Sequence, residues 1–252
     1  MPWRELDRPA LTGELNTNIF VVNDSSELFL KRVPKDNQQI LHSIENEYNF
    51  LGFIPNGGKF RRRSTSEQTA IAQRAAMAGL RVLPPVSQEG DVSYYRFLEG
   101  AQTLDEYLPI ASPEDSTKTV LQIFDDLKKA HSQGIIYGDR WSHNMLITPQ
   151  LGLINVDFDI EISGRPAIEF EVAQAAYYTL SAGREKVIPI LAQVLRPEGW
   201  FDMNLVELFL RRHAVFFDKT KFGGIQEETD ILIDKIKQKN DTAHSLRRDR
   251  PQ

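Results

Sequence analysis

Cysteine is absent from all 252 residues of the chain. That absence excludes disulfide frameworks, thiolate zinc sites, iron–sulfur clusters and cysteine nucleophiles together. Any chemistry must rest on carboxylates, histidine, lysine, hydroxyls or a bound ion. Histidine is scarce too, with five residues and no i, i+4 pair of the kind that seats zinc. No run of eighteen apolar residues exists, and the opening Met-Pro-Trp-Arg-Glu-Leu-Asp-Arg has neither the apolar stretch nor the flanks of a signal peptide. The chain therefore reads as a soluble, cytoplasmic protein without a membrane span. An excess of positive charge is also missing: 30 Lys and Arg against 35 Asp and Glu leave a net charge of −5. General nucleic-acid binding is disfavoured, while a local basic patch stays open. What is present is a 41% hydrophobic share, enough for a substantial core in one or two domains.

The hydrophobic pattern changes character along the chain. Ile19–Val22 and Leu28–Lys31 flank the polar Asn23-Asp24-Ser25-Ser26-Glu27 and predict an antiparallel hairpin. The polar stretch Leu11 to Asn18, with Gly13, precedes it as a loop. Helical spacing follows from Ile40 to Leu51 and again from Glu67 to Ala78, with Ser64 or Ser66 as cap and Gly79 as stop. Asp91 to Leu98 reads as a strand. Beyond it Val120, Ile123, Phe124 and Leu127 define a helix closed by Gly134, and Met145–Thr148 with Leu153–Val156 form a second hairpin. Later stretches from Phe170 and around Leu191, Leu205 and Phe216 are helical in pattern. The front is rich in strands and the back in helices. The last eighteen residues, from Lys235, carry six Lys or Arg against two acids and read as a solvated, fraying tail. Arg61-Arg62-Arg63 reads as a solvated face, with an RNA patch as the minority reading.

Chemistry concentrates in Tyr137-Gly138-Asp139-Arg140-Trp141-Ser142-His143-Asn144 and in Asp157-Phe158-Asp159. Asp139 and Asn144 lie five apart on one loop; Asp157 follows thirteen residues later, on a strand that the hairpin returns to that loop. Each alone reads as a turn residue. Together, after a helix and around a hairpin, they are three oxygen-bearing side chains converging on one point. Phosphoryl transfer needs such a convergence, because a carboxylate must orient the attacking hydroxyl while hard oxygen ligands hold Mg²⁺ against the phosphates. Asp139 takes the first role, Asn144 and Asp157 the second. His143 reads as structural.

These motifs resemble the catalytic and metal-binding loops of the protein-kinase-like superfamily, in its atypical branch. Tyr-Gly-Asp is closer to the His-Gly-Asp of aminoglycoside phosphotransferases, choline kinases and the KEOPS-complex kinase than to His-Arg-Asp, with Tyr137 in the His position, and the chain as a whole also resembles RIO-type kinases. Asp159 stands where Gly usually follows Asp-Phe. The resemblance implies an α+β, two-lobed fold: a strand-rich lobe over 1–98, a helical lobe over 99–234 and a basic polar tail over 235–252. It further implies that Lys31 contacts nucleotide phosphates and is paired with Glu67, with Glu45 and Glu47 as competitors, and that Gly13 belongs to a phosphate-covering turn. Tyr94 to Gly100 becomes the last front strand and hinge. Thirteen residues separate Asp157 from Glu171, leaving little room for a peptide-docking activation segment. Glu171 reads either as a holder of the catalytic-loop backbone or as helix-dipole compensation. The implied activity is transfer of the γ-phosphate of ATP, with Mg²⁺, to a hydroxyl on a small molecule or a restricted protein target. The alternatives are a kinase or ATPase subunit with tRNA-modification partners, and a nucleotide-binding pseudokinase scaffold.

Overall fold

Two short strands, β1 (Arg4–Glu5) and β2 (Leu11–Thr12), pair with β3 (Asn16–Val22), which turns into β4 (Leu28–Pro34). The pentapeptide between them closes on itself, Asn23 and Glu27 exchanging side-chain and backbone hydrogen bonds. This is the hairpin that the sequence predicts, in the register Ile19 opposite Lys31. The chain then forms α1 (Gln38–Phe50), β5 (Lys59–Arg62) and α2 (Thr65–Met77) before β6 (Ser87–Glu89) and β7 (Val92–Arg96) return to the sheet beside β4. Asn37 caps α1. Ser64 and Glu67 form a reciprocal capping box on α2, the arrangement that Ser followed three residues later by Glu encodes. The computed structural model describes residues 3–196, 200–218 and 224–248, with side chains as far as 238.

The second half opens with β8 (Gln102–Thr103) and α3 (Leu104–Tyr107), followed by α4 (Pro113–Ser132), which Ser112 caps and Gly134 terminates. The hairpin β9 (Met145–Thr148) and β10 (Gly152–Asn155) comes next, then β11 (Ile160–Ser163). Four helices complete it: α5 (Ala167–Gly183), α6 (Ile188–Val194), α7 (Met203–Phe217) and α8 (Gln226–Arg248). Helix α5 is buried on nearly every side and is the axis around which the others pack. Composition reads the stretch from Lys235 as a tail. The structure instead continues α8 through it to Arg248, with Ile236 buried and Lys237 paired with Glu207. Residues 249–252 lie outside the described residues. Among the described residues no helix is long and apolar enough to cross a membrane.

A curled antiparallel sheet thus stands in front of a helical half, an α+β, two-lobed arrangement. The apolar packing divides differently from the chain order. The sheet has its own small cluster, Val21, Phe29 and Tyr94 under Trp3. Helices α1 and α2 bury their apolar faces in the core of the helical half, where Tyr48 and Phe53 pack on Phe170 at 4.9 and 4.4 Å between ring centroids. Residues 38–77 precede β7 in sequence, yet the apolar faces of α1 and α2 belong to the core of the helical half. They roof the loop between α4 and β9.

Candidate active site

Helix α4 delivers the chain into the loop through Ile135 and Tyr137, both buried. Gly138 comes next with φ +109, and a Cβ there would meet the Ile160 carbonyl oxygen at 1.9 Å, so only glycine fits. Its N–H donates to the fully buried Glu171 carboxylate at 2.7 Å, and His131 Nε2 lies 2.5 Å from the other oxygen. Glu171 therefore holds the loop backbone, one of the two readings that the sequence offers. The Tyr137 hydroxyl donates to Asp126 at 2.6 Å; Asn155 donates to the same carboxylate at 2.7 Å, and Arg140 donates to Asn155 at 2.7 Å. Tyr137 is thus the entry to a buried network tying α4, the loop and β10 together. Tyr137→Phe keeps the ring but leaves Asp126 short of a donor. A loss of about 1–2 kcal/mol in urea denaturation is expected, and an unchanged midpoint would refute this role for the hydroxyl.

The loop then places Asp139 and, after a short turn, Asn144, whose Nδ2 donates to the Asp139 carbonyl at 3.0 Å. The Val156 N–H donates to the Asn144 carbonyl at 3.0 Å, so β10 brings Asp157 to the same place. Asp157 has φ +64, a left-handed conformation uncommon for a side-chain-bearing residue and found where a site imposes it. Asp139 Oδ1 is buried and has no hydrogen-bond partner among the described residues. Burial, then the charges of Glu47 and Asp157, push its carboxyl well above the usual range. Asp159 is buried, and burial with repulsion from Asp157 pushes it up to about 6. Asn144, Asp157 and Asp159 offer hard oxygens, and Asp159 Oδ1 is buried with no hydrogen-bond partner among the described residues. That donor set fits Mg²⁺, which takes one or two carboxylates and completes its shell with phosphate and water.

Among solved structures, the chain is similar to the Rio2 kinase–ADP/Mg²⁺–phosphoaspartate complex from Chaetomium thermophilum. The TM-score is 0.51 at 10% identity, over 94% of this chain and 72% of that one. The fold is protein-kinase-like. No family model matches the chain, and no curated protein matches it in sequence.

Within this kinase-like fold the front-lobe assignments need correction. Lys31 and Glu67 do not meet: Lys31 pairs with Glu5 at 2.7 Å, and Glu67 pairs with Arg61 at 2.8 Å and caps its own helix. The reason is strand parity. Side chains alternate across a strand, so Lys31 shares the outer face with Phe29 while Arg32 shares the inner face with Leu30. Arg32 Nη2 reaches Asp157 at 2.6 Å and Asp159 at 3.0 Å. Asn16, two rungs along on that inner face, donates to Asp159 as well. Gly13 lies in the turn just before, its N–H on the Asn16 carbonyl and its own carbonyl taken by Lys35.

The Arg61-Arg62-Arg63 run is not a solvated face. Arg62 donates to the carbonyls of Lys35 and Leu15, and buried Arg63 to those of Ile136, Tyr137, Phe158 and Ile160. Of the glutamates on α1, Glu45 is exposed beside His42, whereas Glu47 is buried and acts on Asp139. Burial and the charge of Glu14 push Glu47 up to about 8, from 4.5. Between these values the folded protein keeps a proton that the unfolded chain has released. This contribution to stability is therefore full below about pH 4.5 and fades as pH climbs to about 8. Glu47→Gln is expected to remove that decline in denaturation midpoints across the window. A decline equally steep in the variant would refute the assignment.

Proposed function

We propose that the chain is an ATP-dependent, kinase-like phosphotransferase acting on a hydroxyl. The observation that carries this reading is the gathering of Asp139, Asn144 and Asp157 at the junction of the loop and the second hairpin. Asp139 orients the acceptor hydroxyl and takes its proton as the oxygen–phosphorus bond forms and the bond from the γ-phosphorus to the bridging oxygen of ADP breaks. Asn144 and Asp157 hold Mg²⁺, which when bound neutralises charge on the phosphates. As a base Asp139 must start ionised; burial and the charges of Glu47 and Asp157 oppose this, and Mg²⁺ held by Asn144 and Asp157 would favour it.

The acceptor is small or tightly restricted. Directly after Asp159 the chain pairs as β11 with β5 over four rungs, Ile160 opposite Arg62 to Ser163 opposite Lys59, so this segment is zipped into the protein itself. A peptide laid along it would have to break that ribbon. The hold of Arg32 on both carboxylates favours one further reading, a nucleotide-binding scaffold that transfers nothing. Arg61, Arg62 and Arg63 are engaged with the protein, so a tRNA-modifying role draws no support from them. Incubation with γ-labelled ATP and Mg²⁺, scoring free phosphate, self-labelling and transfer to a metabolite pool separately, tests the proposal. Label on a hydroxyl compound is expected; nucleotide binding with no label moved would leave the scaffold, and free phosphate alone would leave an ATPase.

A further inference from the structure

We infer that Asp157 and Asp159 together form a two-carboxylate cation seat, and that Arg32 is its resident cation, exchanged for a divalent ion when nucleotide binds. The inference deepens the reading above and depends on it only for the statement that the ion arrives with nucleotide. Asp159 is the new ligand. It occupies the position where glycine usually follows Asp-Phe, yet it is no solvated turn residue: it is 4% exposed, takes hydrogen bonds from Arg32 and Asn16, and keeps Oδ1 buried and unpartnered. A buried carboxylate oxygen without a donor is costly unless something positive or protonated completes it. Arg32 and Asn16 both donate to Oδ2, so one guanidinium leaves the other oxygen of this buried carboxylate without a counter-charge, and a divalent ion could supply one.

The charges agree with exchange. Two carboxylates against one guanidinium leave one net negative charge at the seat. Arg32 cannot lose its proton, so it can leave the carboxylates only by moving. Its side chain is mostly buried on the inner face of β4, where Leu30 and Tyr95 line the same side of the sheet. From there a long side chain that releases Asp157 and Asp159 meets any phosphate placed over the sheet. Guanidinium suits phosphate as well as carboxylate, because its fork donates bidentately to both. Arg32 thereby takes the role that strand parity denies to Lys31, and it keeps a bare ion from settling before nucleotide is present.

The test titrates nucleotide-free protein with Mn²⁺, reading the free ion by electron paramagnetic resonance. Wild type is expected to bind weakly, because Arg32 fills the seat. Arg32→Met should bind at least about tenfold tighter, since two adjacent carboxylates lose the cation that bridges them. Arg32→Lys, which keeps the charge and the strand but bridges one carboxylate rather than two, should gain by a smaller factor. Adding Asp159→Asn to either variant should abolish the gain. Mn²⁺ affinity equal to wild type in both Arg32 variants, or a gain that survives Asp159→Asn, would overturn the inference. These titrations contain no ATP and score no turnover, so a failure of phosphate transfer leaves their outcome unaffected.

Discussion

Asp139→Asn is expected to lower phosphate transfer by about 10²–10⁴-fold, the range that a positioned general base contributes, while nucleotide affinity stays within a few-fold of wild type. The amide nearly preserves the shape of the carboxyl but cannot take the hydroxyl proton. Its surroundings favour a clean result. The Asp139 carbonyl, which holds Asn144, belongs to the backbone and survives the substitution. Asp139 Oδ1 has no partner to lose, and burial with the charges of Glu47 and Asp157 already disfavours the ionised form. A neutral amide should therefore leave the protein as stable as before, or more stable. Steady-state transfer at saturating ATP, beside calorimetric nucleotide titration, checks both halves. Unchanged turnover would remove Asp139 from the chemistry, and an equal loss of turnover and affinity would make it a binding residue.

The largest effect on stability is expected at Arg63. Its guanidinium donates to the carbonyls of Tyr137, Phe158 and Ile160 at 2.9 to 3.0 Å and to Ile136 at 3.3 Å, and it lies 3.5 Å from Glu161. One side chain thus satisfies the backbone on both sides of the site, just before Asp139 and just after Asp157. Arg63→Met strands those carbonyls in a buried place, at a cost of about 3–5 kcal/mol. At about 2–4 °C per kcal/mol for a chain of this size, the melting temperature should fall by roughly 10 °C. Arg63→Lys should recover only part of the loss, since the carbonyls of Tyr137, Phe158 and Ile160 converge on one nitrogen, Nη1, which an ammonium can replace, while the contacts of Nη2 with Ile136 and of Nε with Glu161 are lost. A thermal melt that moves by under about 2 °C in Arg63→Met would show that the fork is dispensable.

The arginine run and the strand lysine show where sequence reading stops. Three consecutive arginines look alike to any measure of composition, yet one bridges Glu67 and Glu161 on the surface, one ties Lys35 to Leu15 and one is a buried scaffold. Their fates depend on β5 pairing with β11, a partner about a hundred residues away. Lys31 and Arg32 are adjacent cations on a strand whose apolar residues, Leu28, Phe29 and Leu30, run without alternation. The pattern therefore carries no signal for which face is inner. Only the register against β3 and β7 decides it, and a one-residue change of parity moves the cleft-facing cation from Lys31 to Arg32. The capping box at Ser64 and Glu67 carried a warning in the sequence, because a glutamate that closes its own helix start is not free to reach a distant lysine.

What the sequence determined by itself was local in its physics. Hairpin turns, helix caps and glycine stops act over a few residues, so the two hairpins, the helices from Ile40, Glu67 and Val120 and the spacing of Asp139, Asn144 and Asp157 followed from composition and period, whereas β5 and β11, which form only by pairing with each other, did not. The tertiary structure decided everything that needed two distant segments to meet: Arg32 and Asn16 on Asp159, Glu47 beside Asp139, Glu171 under Gly138, and α1 with α2 packed into the helical lobe. Those contacts are selected by burial and by the need of every buried charge for a partner, conditions that are set only once the whole chain has closed around them.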